Sequence, residues 1–210
     1  MNLTPKTLTV TECHQLLHAL KLTDGTPGQR KKYIRNHTMA VLMLYAGLRV
    51  GEVVNLLISD LYYGEVPVEC LTVRAEIAKN KTERIIPLSS KVRDVLIEYA
   101  ESVLTDQPDF VPCFFHSWKN GYRIMTTRQV ERIVRQAGLR SIGRPVHPHV
   151  LRHTFGTRLM RITNARIVQQ LLGHAHLSST QIYMHPNQDD LKSAVESLDT
   201  NQPNKDVTES

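Results

Sequence analysis

Residues 147–159, HPHVLRHTFGTRL, carry two helical stripes at once. Leu151, Phe155 and Leu159 recur every four residues and predict the buried face of a helix from about His149 to Arg161. His149 and Arg152 lie three apart, so both project from a different face of that helix. A rigid platform therefore presents an imidazole beside a permanent cation. One reading is a solvated basic face; the other is the wall of an anion site. His149 and His153 also have an i, i+4 spacing seen in zinc sites. Val150, however, stands where HExxH has its glutamate, and no Cys or carboxylate cluster joins His147, His174 and His176, so no metal is expected.

Downstream, Ala165 to Leu172 reads as a short helix stopped by Gly173, within LLGHAHLSSTQIYMHP (171–186). His174 follows the stop, and Tyr183 comes nine residues later; alone, a tyrosine between Ile182 and Met184 reads as a core residue. Short helices are expected at Ser178–Tyr183 and Asp189–Leu198. In the second, Leu191, Val195 and Leu198 form a narrow stripe suited to packing in cis or on a neighbouring subunit. Thr200 to Ser210 is polar and reads as a disordered tail.

Upstream the chain is mostly helical. Thr9 and Glu12 have capping-box spacing ahead of Leu16, Leu17 and Leu20. A longer helix is expected from about Arg30 to Tyr45, ending near Gly47, and a short one over Gly51–Leu57. The period then changes. Leu71 and Val73, then Ile85 and Ile86, sit in β-prone runs separated by the polar AKNKTE, which predicts a hairpin with Lys79 and Lys81 near its tip. Helical pattern resumes at Ser89, with Val92, Val95, Leu96 and Tyr99 inward, and again over Thr126–Leu139; a short strand is expected at Cys113–Phe115. The fold class is mainly α with a small antiparallel β-hairpin, an α+β domain over residues 1–199.

Arg49 stands among Leu48, Val50, Val53 and Val54, where a charge needs a partner. Glu52 or Asp60 is one solution; lining a pocket that grips phosphate oxygens bidentately is the other. The 210 residues carry a net charge of +6, which favours polyanionic partners weakly. Cys13, Cys70 and Cys113 are scattered and odd in number, which argues against a disulfide framework and for a reducing, cytoplasmic setting. The longest apolar run, Met39 to Leu48, is far short of the roughly 20 residues of a membrane span. A soluble protein without a signal peptide is expected.

AGLRVGEVVNL, KNKTERIIPL, HPHVLRHTFGTRL and LLGHAHLSSTQIYMH occur in this order, and with them the chain, from about Pro5 to Leu198, resembles the tyrosine recombinase, or phage integrase, family. The resemblance implies the fold of that family's catalytic domain. It places the two catalytic arginines on Arg49 and Arg152 and the hairpin lysine on Lys79, with Lys81 as the alternative. It places the histidines on His149 and His174, and the nucleophile on Tyr183. The implied activity is site-specific cleavage and rejoining of double-stranded DNA through a 3′-phosphotyrosyl bond, without cofactor.

The chemistry fits the residue types. Two guanidiniums and His174 suit the charge that builds on the phosphate oxygens. A phenol with a pKa near 10 needs a base, for which His149 is the candidate, and the departing 5′ oxygen needs an acid, for which Lys79 is the candidate. Exchange in the family implies a homotetramer on DNA, with a monomer or weak oligomer in its absence. The family's N-terminal clamp domain is not expected within these residues, because the catalytic domain starts almost at Met1, either as a naturally minimal recombinase or as part of a longer protein; without the clamp, weak, salt-dependent DNA binding follows. A catalytically silent DNA-binding relative and a type IB topoisomerase-like relaxing enzyme are the alternatives.

Overall fold

One helix organises the domain. Every residue from Ile34 to Leu44 is buried, so helix α2, Pro27–Tyr45, is covered on all sides over its C-terminal three turns, while its first six residues are exposed. The computed structural model describes residues 7–21, 25–104, 111–118 and 121–173. Thr26 caps α2 through a reciprocal capping box with Gln29, and Pro27 starts the first turn, three residues ahead of the expected Arg30. Helix α1, Val10–Leu20, opens on the expected Thr9–Glu12 box, with Thr9 N–H donating to Glu12 at 2.8 Å. It turns Cys13, Leu16, Leu17 and Leu20 inward.

After α2 the chain must reverse sharply. Gly47 does this at φ +63°, and a Cβ there would lie 2.3 Å from the Phe155 ring. Both the backbone region and the space require glycine. The expected Gly51–Leu57 helix is shorter and earlier: α3 spans Val50–Val54, and a second turn, α4, spans Ile58–Leu61. A tiny hairpin follows, β1 Tyr62–Tyr63 with β2 Val66–Pro67.

The main hairpin is as expected: β3, Cys70–Val73, pairs antiparallel with β4, Arg84–Pro87, in the register Leu71↔Ile86 and Val73↔Arg84. Its loop, residues 74–83, carries Lys79 and Lys81. Helix α5, Ser90–Val103, buries Val92, Leu96 and Tyr99 against α2. The expected Cys113–Phe115 strand starts later and has a partner: β5, Phe115–Trp118, pairs with β6, Gly121–Ile124. Cys113 and Phe114 are instead wholly buried core residues, with Tyr99 O–H donating to the Cys113 carbonyl at 2.7 Å.

Helix α6, Thr127–Ile142, runs a turn beyond Leu139 to a left-handed Gly143. Helix α7, Pro148–Met160, and α8, Ala165–Leu172, complete the described residues. A single large core joins α1 to α7 and β3–β4; a satellite of Val168 and Leu172 with Phe155, Leu159 and Met160 seats α8 on α7. No helix among the described residues is long and apolar enough to cross a membrane. The expected helices at 178–183 and 189–198, and the tail at 200–210, lie outside the described residues.

Candidate active site

The site is built around one buried carboxylate. Glu52, on α3, is 1% exposed and faces three arginines. Arg84 of β4 grips it with both terminal nitrogens, Nη1 to Oε1 at 2.9 Å and Nη2 to Oε2 at 2.7 Å. Arg49 donates its backbone N–H to Oε2 and its Nη1 to Oε1, each at 2.8 Å. Arg152 Nη1 stands 3.9 Å from Oε2. Burial pushes the Glu52 carboxyl up, but the hydrogen bonds and charge of Arg84, the Arg49 N–H and the charge of Arg152 outweigh it, and its pKa falls below the ordinary value.

The second anchor is the C-terminus of α8, whose last carbonyls have no partner within the helix. Three successive ones accept from the site. Leu171 C=O accepts from Arg84 Nε at 3.0 Å, and Leu172 C=O from Arg152 Nη2. Gly173 C=O accepts from Arg49 Nη2 at 3.4 Å and from Asn80 Nδ2 at 3.3 Å. The negative end of the helix dipole favours cations there. Gly173 itself is left-handed at φ +60°, and a Cβ would stand 2.8 Å from Arg84 Cδ.

Arg152 overturns the solvated-face reading of its helix. It is 4% exposed, and besides Leu172 it donates to the Gly47 carbonyl, tying α7 to the turn after α2. His149, one turn earlier, is exposed, so the two residues share a helix face but not an environment. His153 is buried, and burial with the nearby charge of His149 lowers its pKa. Of the two partners expected for Arg49, Glu52 is the one found. Asp60 instead holds Arg74, through Arg74 Nε at 2.8 Å and Nη2 at 2.9 Å.

Lys79 is exposed in the hairpin loop, with no side-chain hydrogen bond or ion pair among the described residues. Lys81 adopts φ +53° and turns its ammonium to the Glu76 carbonyl at 3.4 Å. Thus Arg49 and Arg152 meet through Glu52 and the end of α8, the Lys79 loop is caught at the same helix end, and His149 sits one turn from Arg152. His174 and Tyr183 lie outside the described residues.

Two features escaped the sequence reading. Arg84 shares the inward parity of Ile86 and Leu88, while Ile85 points outward at 57% exposure; strict period-two counting would have put a charge in the core. The other is α6. Arg128, Arg132 and Arg135 fall at i, i+4 and i+7 and are all exposed, opposite buried Val130, Val134 and Ala137. A row of guanidiniums on a well-packed helix suits a phosphate backbone or a DNA groove.

The phage integrase family model matches residues 6–190. Tyrosine recombinase XerA of Pyrococcus furiosus is 34% identical over 193 residues, covering 91% of this chain and 61% of that protein. A crystal structure of XerA recombinase superposes with a TM-score of 0.71 at 30% identity, over 92% of this chain and 63% of that one. A crystal structure of XerH site-specific recombinase bound to difH substrate, a pre-cleavage complex, gives 0.63 at 25% identity over 94% and 55%. The chain spans between 49% and 63% of the length of the curated relatives compared with it.

Proposed function

Because the chain belongs to the phage integrase family of tyrosine recombinases, we propose that it cleaves and rejoins double-stranded DNA at specific sites through Tyr183. The observation that carries this reading is the arginine cluster. Arg49 and Arg152, 103 positions apart, are held at one helix end by Glu52 and the α8 carbonyls, in the segment that runs directly into His174. Three guanidiniums, those of Arg49, Arg84 and Arg152, gather on the single carboxylate of Glu52. A cluster with that balance suits a phosphate better than a one-to-one structural ion pair.

In the proposed step the Tyr183 oxygen attacks the scissile phosphorus and its proton passes to His149. Arg49, Arg152 and His174 stabilise the charge on the non-bridging oxygens. The bond from phosphorus to the 5′ oxygen breaks, its electron pair goes to that oxygen, and Lys79 supplies the proton. The product is a 3′-phosphotyrosyl bond and a free 5′-hydroxyl. The ester bond keeps its energy, so another 5′-hydroxyl reverses the step on a new partner strand. The α6 arginine stripe supplies backbone contacts, and binding by this chain is accordingly salt-dependent. Four copies act together on two sites, with the 189–198 segment docking on a neighbour; deleting that segment weakens assembly on DNA in gel-shift titrations, and unchanged assembly refutes this.

The experiment is to trap covalent protein–DNA adducts under denaturing conditions, with Tyr183→Phe beside the unaltered chain, and to sequence the attached ends. Adducts from the unaltered chain alone, clustered at one sequence, are the expected result. Scattered adducts indicate topoisomerase-like relaxation. Absence of adducts from both, with DNA binding retained, indicates a silent DNA-binding protein.

A further inference from the structure

The hairpin loop that bears Lys79 is ten residues long, 74–83, and a loop of that length does not hold a lysine in place by itself. Its stem is held by two bidentate ion pairs. At the entry, Arg74 forks onto Asp60 at 2.8 and 2.9 Å. At the exit, Arg84, whose strand partner is Val73, forks onto Glu52 at 2.9 and 2.7 Å. The tip is caught where Asn80, beside Lys79, donates to the Gly173 carbonyl.

The two clamps are not equivalent. Arg74 ties the loop to α4 and, through Nη2 at 3.3 Å, to the Asn55 carbonyl just past α3, and its side chain is 31% exposed. Arg84 is 5% exposed and ties the loop to the carboxylate that Arg49 also holds, and through Nε to Leu171, one carbonyl before the one that holds Arg152. We propose that Arg84 is a positioning residue: it brings the hairpin lysine into register with the phosphate-binding arginines, so that the leaving 5′ oxygen meets its proton donor. This rests on the DNA-cleavage reading above. The fork of Arg84 is occupied by Glu52 and its Nε by Leu171, so it acts through Lys79 rather than by touching DNA. Lysine keeps the charge at this position but supplies neither the parallel pair of bonds nor the third.

The test separates proton delivery from phosphate binding. Duplexes carrying the cleavage site mapped by adduct sequencing are made in two forms, one ordinary and one with sulfur replacing the scissile 5′ oxygen. In the second, the phosphorus–sulfur bond breaks and the thiolate departs with the electron pair, needing no proton. Lys79→Ala and Arg84→Lys are expected to slow single-turnover cleavage of the ordinary duplex by about 10- to 1,000-fold and to return to within about threefold of the unaltered chain on the sulfur duplex. Arg152→Lys stays slow on both. An Arg84→Lys chain that is equally slow on both duplexes, or unimpaired on the ordinary one, overturns the proposal. Should circular dichroism show Arg84→Lys unfolded, Arg84→Gln, which leaves Glu52 and its hold on Arg49 in place, is expected to show the same rescue; unfolding of both variants overturns it in favour of a purely structural pair. If the unaltered chain cleaves neither duplex, the DNA-cleavage reading fails and takes this one with it. If it cleaves both and Arg84→Lys is not rescued, this one fails alone.

Discussion

Removing the Glu52 carboxylate has the most clearly defined consequence for stability. Glu52→Met keeps the volume and deletes the charge, leaving Arg84 buried without the carboxylate it grips and Arg49 without its side-chain acceptor. Breaking a buried ion pair from one side costs about 3–5 kcal/mol. For a chain of this size that corresponds to a melting temperature lower by roughly 6–20 °C. Arg84→Met should lose a comparable amount, since Glu52 is 1% exposed and would keep, among the described residues, Arg49 alone at hydrogen-bond distance. The double variant removes both charges together, so its loss should fall short of the sum of the singles by about 2 kcal/mol. Urea unfolding followed by circular dichroism measures all four proteins. Additivity within about 0.5 kcal/mol would refute the reasoning, because it would mean that the pair is not coupled. The pH dependence adds a second check. The folded-state carboxyl lies below its ordinary value of 4.5, so its stabilisation is complete above pH 4.5 and disappears as pH falls through the lowered value. The gap between the unaltered protein and Glu52→Met should therefore be constant from pH 7 to about 5 and narrow in stronger acid.

Three other outcomes are expected. Gly47→Ala forces a side chain into φ +63° and into the Phe155 ring, and should lower stability by at least about 2 kcal/mol in the same unfolding assay; a decrease below about 0.5 kcal/mol would contradict the close approach. His37 on α2 is buried with Nδ1 unpartnered among the described residues; burial first, then the charges of Lys21 and Lys91 against that of Glu98, lower its pKa to about 4. The unfolded chain thus binds the extra proton from about pH 6.5 down, stability should fall between pH 6.5 and 4, and His37→Gln should flatten that stretch; an unchanged slope would exclude His37 as its source. Replacing Arg128, Arg132 and Arg135 with glutamine should weaken DNA binding and reduce the slope of log affinity against log salt by about one for each phosphate no longer neutralised; an unaltered slope would remove α6 from the interface.

Local physics made much of the fold legible in advance. The Thr9 capping box placed the start of α1, helical spacing marked the inner face of α5, and Gly173 marked the end of α8; of the face predicted for α7 only Leu151 is buried, Phe155 and Leu159 being half-buried against α8. The β-prone runs placed the hairpin and its lysines because a change of hydrophobic period is a property of a few neighbouring residues. The motifs in their order likewise pointed to the family and to six candidate residues. What the sequence did not display is which charges the fold takes inside. Arg152 and His149 are equivalent on a helical wheel, yet one is buried and the other exposed. The difference is made by the Gly47 carbonyl, 105 positions away, and the Leu172 carbonyl, 20 away. Arg84 enters the core only because Glu52, 32 positions earlier, waits there to pair with it. Burial of a charge is decided by the partners that compensate it, and those partners are assembled by tertiary packing rather than by the neighbours a linear reading can see.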